Sequence, residues 1–309
     1  MKNILRIAGS LLFAALAASA GLAQQRTFVS GTGSDANPCT FALPCRSFAT
    51  AISAANAGGE VAALDAAQYL PFTITKPISI EAPAGASVSA PSGGDGVTIS
   101  APTGANVAIR GLTINAEGAG RYGIHSNSNV TLNVENCVVS GFGASGGAGV
   151  EFDGSGKLVV KETVARGNYF GISLNPGGGF SLAAFDGLTL NGNYLGLLFG
   201  GSGLVMGAIR GSSIIGSTNY GIEMYGSATG SAYLDIEGCL IANNGYGLLA
   251  SSPGAQAGMS ISNSLISHNT SMGWNEVSGG FIVSRGNNSV VGNGASSPPT
   301  LKTIPPFQQ

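Results

Sequence analysis

The chain is built on a unit that recurs about every 25 residues, and no other property of the sequence limits its fold so tightly. A clean copy runs from Leu234 to Leu248. It holds an apolar residue (Ile236), a polar one (Glu237), a small one (Cys239), a second apolar one (Ile241), then Asn244 and a Gly247–Leu248 closure. The frame returns at Val160…Thr163…Asn168…Gly171–Ile172, at Phe185…Leu188…Asn193…Gly196–Leu197 and at Ile261…Ser264…Asn269…Gly273–Trp274. Looser copies start at Ile109, Val134, Ile209 and Val283. The closing glycines Gly123, Gly149, Gly171, Gly196, Gly221, Gly247 and Gly273 are 22 to 26 residues apart. A fixed period in this range is the signature of a solenoid, in which each unit packs only on its neighbours.

Within each unit, short runs of period-two alternation are broken by Gly, Asn and Ser, which is strand and turn chemistry. The expected fold is all-β: a right-handed parallel β-helix of about nine or ten coils, stacked at about 4.8 Å per coil. A leucine-rich horseshoe shares the repeat length and an Asn column, but Leu is not at its regular places here and Gly closes the units. Three columns should run along the stack. One is inward: Val134, Val160, Phe185, Ile209, Ile236, Ile261. One is an Asn ladder at Asn168, Asn193, Asn244 and Asn269, with Asn219 and Asn293 as further members; Asn suits left-handed turns and its amide can bond to the coils on either side. The third is outward and alternates in sign: Arg110, Glu135, Lys161, Asp186, Arg210, Glu237, then Ser262 and Ser284. Opposite charges stacked across strands attract, though each exposed pair is worth little.

With its coil length, stacked Asn and Gly–apolar closures, the stretch from Ile74 to Asn293 resembles the right-handed parallel β-helix proteins of the pectate-lyase-like superfamily. Phe28-Val29-Ser30-Gly31-Thr32-Gly33-Ser34-Asp35, with Pro38-Cys39 and Pro44-Cys45-Arg46-Ser47-Phe48, is similar to the opening of secreted bacterial members. The resemblance implies a fold rather than an activity, because lyases, hydrolases, epimerases and adhesins share it. The catalytic strings of its enzymes are missing: no Gly-His-Gly with Arg-x-Lys, no dense Asp cluster for calcium, no Asp-Pro-His.

Residues 1–23 read as a secretory signal, with Lys2 and Arg6 before the apolar run Ile7–Ala18 and small residues at the cleavage site. Without it, 11 Lys and Arg face 15 Asp and Glu, a balance of about −4 that argues against nucleic acid as a partner. No later stretch is apolar enough to span a bilayer, so the expected location is secreted or periplasmic. Residues 24–73 are expected to cap the open end of the solenoid, residues 74–293 to form the β-helix and residues 294–309 a Pro-rich tail. In the cap, Ser47 to Asn56 reads as a helix with Ser47 as N-cap, Phe48, Ala51, Ile52 and Ala55 on one face, and Gly58–Gly59 as its end. Cys39 and Cys45 lie in a turn-rich segment of an exported chain and are expected to pair, since no His or further Cys is near enough to suggest a metal. Cys137 and Cys239 fall in an inward column four coils apart, about 19 Å, and are expected as buried free thiols.

No metal site or cofactor is expected, calcium entering only if the chain is a lyase. Glu151 and Asp153 alternate on one strand and share a face, where two carboxylates suit acid–base work or calcium. Lys157, Lys161 and Arg166 follow within a coil and are the cations nearest in sequence for an acidic sugar. The simpler account of Glu151 and Asp153 is a solvated strand face, and Lys161 already belongs to the charge column. His125 reads as a residue at a turn exit, and His268 as a surface turn residue beside the Asn ladder. Tyr169, Tyr194, Tyr220 and Tyr246 follow the Asn turn and could line a sugar-binding strip or simply stack on one another. The reading that fits these features best is a secreted, non-catalytic β-helix protein that binds glycans. Its alternatives are a carbohydrate-active enzyme on acidic polysaccharide, with Glu151, Asp153, Lys157 and Arg166 as candidates, and an adhesion scaffold.

Overall fold

A computed structural model describes residues 24–294 and the backbone of 302–303. The expected signal segment and most of the Pro-rich tail lie outside the described residues. The architecture is three parallel sheets of 12, 9 and 10 strands wound into one solenoid of about nine turns. One coil shows the pattern: Thr131–Glu135 lies in the 12-stranded sheet, Val138–Ser140 in the 10-stranded sheet and Ala148–Phe152 in the 9-stranded sheet.

The inward column holds along the 12-stranded sheet. Ile109, Val134, Val160, Phe185, Ile209, Ile236 and Ile261 are neighbours in register, each at most 1 % exposed. Burying a side chain of this size contributes about 1.5–3 kcal/mol, so this one column is a large share of the driving force. The outward column is also in register from Glu81 through Arg110, Glu135, Lys161, Asp186, Arg210 and Glu237 to Ser262. Arg110 bridges Glu81 and Glu135, and Arg210 bonds to Asp186 at 2.9 Å. Ser284 does not join this column. It pairs with Ile261 and is buried, because the last coil slips by one residue and turns that position inward.

The Asn ladder is real, with two corrections. Asn168, Asn193, Asn244 and Asn269 are at most 2 % exposed, and Asn293 joins them. Each Oδ1 accepts the backbone N–H of the residue one coil before, as Asn193 does from Asn168 and Asn269 from Asn244, at 3.0 Å in both cases. Asn219 is not a rung; Ser217 holds that place, its N–H bonded to Asn244 Oδ1 at 2.9 Å, while Asn219 donates to the Tyr194 hydroxyl. Nor do the rungs carry the left-handed turn. The residue before each does: Gly167, Gly192, Gly216, Asn243, His268 and Gly292. His268 is thereby an exposed turn residue, as expected.

At the N-terminal end, parallel stacking already begins at Gln24–Val29, which pairs with Ala55–Ala63. The helix Phe48–Ala54 closes the end of the core, with the Ser47 side chain accepting from Thr50 N–H and Phe48 stacked on Phe72 at 4.5 Å. Gly58–Gly59 does not end this helix; it stops at Ala54 and the glycines lie within the following strand. Cys39 and Cys45 form a disulfide, and Cys137 and Cys239 are buried free thiols. At the other end Lys302–Thr303 adds a strand beside Phe281–Ser284, where the sequence shows no strand pattern. Among the described residues no helix is long and apolar enough to cross a membrane.

Candidate functional site

The outer face of the 9-stranded sheet concentrates the chemistry. In eight of its nine strands the second residue after a glycine points away from the core, between inward neighbours such as Ile124 and Ser126 or Val150 and Phe152. These outward positions stack in register as Thr98, His125, Glu151, Ser173, Leu198, Glu223, Leu249 and Asn275. The column sets His125 directly beside Glu151, 26 residues apart in the chain.

His125 is therefore not a turn-exit residue. Its Nδ1 lies 2.9 Å from Asp95 Oδ2 and its Nε2 lies 3.3 Å from Asp153 Oδ2. Burial works against a charged imidazole, but the hydrogen bonds and charges of Asp153 and Asp95 outweigh it and push its pKa up to about 9. The ring is an imidazolium clamped between two carboxylates, and Tyr122 packs on it at 4.5 Å. The Arg121 guanidinium lies over the Tyr122 ring, 4.7 Å from its centre. Asp95 also accepts a bond from Thr98 Oγ1.

Glu151 and Asp153 share a face, as their spacing implies, but Glu151 is not solvated: it is 5 % exposed. Ser173 Oγ donates to Glu151 Oε1 at 2.9 Å, and a further hydrogen bond joins Glu151 to Asp153. Burial first, then the negative charge of Asp153, holds the Glu151 carboxyl protonated well above the carboxylate range. Asp153 moves the opposite way: burial opposes its charge, but the bonds from His125 and Glu151 keep it ionised below that range. The pair is a carboxylic acid donating to a carboxylate that the imidazolium also bonds. Tyr122, which packs on His125, also lines an open depression of about 410 Å³ together with Arg121, Gly93 and Gly147.

Lys157 and Arg166 are not part of this cluster. Lys157 sits on the 12-stranded sheet between Thr131 and Leu182, and Arg166 on the 10-stranded sheet between Ser140 and Asn191. Their closeness in sequence carries the chain around two corners of the coil. Among the described residues no trio of His, Cys, Asp and Glu side chains converges as metal ligands would.

The four tyrosines form two packed pairs, one stacked and one tilted, rather than one column. Tyr169 and Tyr194 lie 4.5 Å apart and nearly parallel; Tyr220 and Tyr246 are in register at 4.9 Å. They border the outward column, with Tyr220 three residues before Glu223 on the same strand. Tyr225 comes two residues after Glu223 and shares its face; it is 39 % exposed. Glu223, Tyr225, His125 and Asp95 are the site residues that motif reasoning misses, and the offset of two from each closing glycine is the signal that would have found the first and third.

No protein-family profile and no curated protein matches the chain by sequence. Among solved structures it is similar to the pectate lyase Pel9A, with 15 % identity and a TM-score of 0.56 over 90 % of this chain and 72 % of that one. It is also similar to the enzymatically active domain of tailspike protein 2 of bacteriophage CBA120, with 12 % identity and a TM-score of 0.59 over 86 % of this chain and 43 % of that one. The chain thus spans less than half of that tailspike domain. At these identities the likeness is one of fold, and the fold of this chain is that of the pectate-lyase-like parallel β-helix proteins.

Proposed function

We propose that the chain is a glycan-binding β-helix protein that holds its ligand on the outer face of the 9-stranded sheet, in an oxidising compartment in or beyond the cell envelope. The observation that carries this reading is the tyrosine border beside a column of hydrogen-bonding side chains, His125, Glu151, Ser173 and Glu223, running along one face. Aromatic rings with polar tips beside carboxyl and hydroxyl groups suit sugars, which have apolar faces and polar rims. The similar structures carry the names of a pectate lyase and of an enzymatically active tailspike domain, which supports a role with glycans. The Cys39–Cys45 disulfide supports the compartment.

A second reading has its own observation. Glu151 and Asp153 are in contact yet their pKa values are driven apart, the arrangement that assigns one carboxyl as acid and the other as base. In that reading Glu151 gives a proton, Asp153 receives one, His125 holds Asp153 ionised and Asp95 orients His125. Two carboxyl groups in contact stand closer than the ~5 Å or more that separates the pair flanking a glycosidic bond in glycosidases, so Glu151 and Asp153 do not straddle such a bond.

The test is one panel. The chain from about Gln24 is incubated with plant, bacterial and uronate glycans, and both retention and new reducing or unsaturated ends are followed. Saturable binding without products is the expected result. Turnover abolished by Glu151→Gln establishes the second reading instead, and neither binding nor turnover on any glycan removes both.

A further inference from the structure

Glu223 is out of place on physical grounds. It stands on the outer face of the 9-stranded sheet with Leu198 and Leu249 in register on either side, and with Tyr220 and Tyr225 before and after it on its own strand. Burial alone raises its carboxyl above the ordinary range. No hydrogen bond or ion pair to it is found among the described residues. A carboxyl desolvated among leucines and tyrosines without a partner costs stability, and a leucine like its two neighbours would avoid that cost. Tyr225 is unusual too. Its neighbours in register are Gly200 and Ser251, which are too small to cover its ring, whereas Tyr220 and Tyr246 pack on each other.

The surrounding charge says what can sit there. Between residues 167 and 284 the sequence holds one Lys or Arg, Arg210, and it lies on the 12-stranded sheet bonded to Asp186. A uronate over Glu223 would bring a second negative charge to a desolvated carboxylate with no cation to offset it. A sugar without a carboxylate meets no such repulsion: its hydroxyls can donate to Glu223 and its apolar face can lie on Tyr225.

We propose that Tyr220, Glu223 and Tyr225 form a subsite for a sugar unit lacking a carboxylate, within a glycan that runs along the solenoid axis towards Glu151. Glu223 lies three strand steps from Glu151, roughly 14 Å, so the ligand spans several units. This deepens the glycan-binding reading and rests on it; it also replaces the acidic polysaccharide that the alternative enzyme reading assumes with a neutral one.

The experiment is calorimetric titration of the chain from about Gln24 with neutral gluco-, manno-, xylo- and galacto-oligosaccharides of one to six units, and with oligogalacturonates and oligomannuronates of the same lengths. Glu223→Leu and Tyr225→Ala are measured in parallel, with thermal unfolding of each. The expected result is binding of a neutral series that strengthens with length, and a loss of about tenfold or more in affinity on removing a charge-assisted hydrogen bond through Glu223→Leu. That variant should unfold at the same or a higher temperature than the wild type, which separates a ligand role from a structural one. Tighter binding of the uronates, or neutral binding untouched by both substitutions, overturns the subsite while leaving glycan binding in place. Binding of no oligosaccharide in either series overturns both.

Discussion

Asp95 Oδ2 and His125 Nδ1 are 2.9 Å apart although 30 residues separate them in the chain, because one coil of the solenoid sets their strands side by side. The bond gives the protein a pH dependence of known sign. The unfolded imidazole loses its proton near pH 6.5, and the folded one near 9. The stabilisation from the clamp is therefore complete below about pH 6.5 and is lost as pH rises to about 9, an effect of at most about 3 kcal/mol. The melting temperature should fall across that window, and His125→Gln should flatten the fall. An imidazole NMR titration of the wild type with a midpoint near 6.5 would show that the clamp is not formed.

Glu151 offers a complementary prediction. A carboxyl whose folded pKa is raised stabilises the fold only while protonated, so its contribution too disappears as pH rises above the ordinary carboxylate range. Glu151→Gln imitates the protonated form, keeping a group that accepts from Ser173 and donates to Asp153. The variant should match the wild type near pH 4 and exceed it at pH 9 in thermal unfolding. Asp153→Asn should instead lower the His125 midpoint, since it removes one of the two carboxylates that hold the proton. A Glu151→Gln protein less stable than the wild type at pH 9 would show that the carboxyl is ionised in the fold.

These residues show where the sequence is legible and where it is not. The inward and charged columns of the 12-stranded sheet can be read directly, because Val160, Phe185 and Ile236 repeat one chemistry at one place in each unit. The outer column of the 9-stranded sheet changes chemistry at every step, from His125 to Glu151 to Ser173 to Leu198, so no similarity marks it. Only counting two residues on from Gly123 and Gly149 puts His125 next to Glu151. Lys157 and Arg166 err in the opposite direction: nearness along the chain suggests one cluster, but a coil turns a corner every few residues and carries them to other faces. Asn219 errs by two places, because the frame is set by the left-handed residue before each rung, here Gly216, and not by the nearest Asn.

The rungs differ in what they hold. The Asn244 side chain accepts from Ser217 N–H and donates to the Ile214 carbonyl and to Asn269 Oδ1, all out of contact with water. Asn244→Ala leaves the buried Ser217 N–H without its partner, and one such unsatisfied group costs about 1–3 kcal/mol; the Ile214 carbonyl loses only a second bond, since its strand still pairs with Leu240–Ala242. Asn219→Ala removes one exposed bond to the Tyr194 hydroxyl and should change stability by less than about 0.5 kcal/mol. Urea unfolding of the two variants checks the contrast, and equal effects would mean that the ladder is not what holds the turns together.

The closing glycines are required by the same ladder. A methyl group on Gly247 would meet the Gly273 carbonyl oxygen at 2.3 Å and the Asn269 amide at 2.9 Å, so the space a side chain would take is already filled by the next coil's backbone and its rung. Gly192 is the opposite case. Its φ of +61° is left-handed, but a Cβ there meets nothing within 4 Å. The equivalent places two and three coils on hold Asn243 and His268. Gly192→Asn should therefore be nearly neutral, since Asn tolerates this backbone. Gly247→Ala should destabilise by about 2 kcal/mol or more, as overpacking against rigid backbone does. Limited proteolysis with urea unfolding would separate the two: an intact, wild-type-like Gly192→Asn beside a loosened Gly247→Ala is the expected result. If the order is reversed, backbone strain and not close coil packing decides where this solenoid needs glycine.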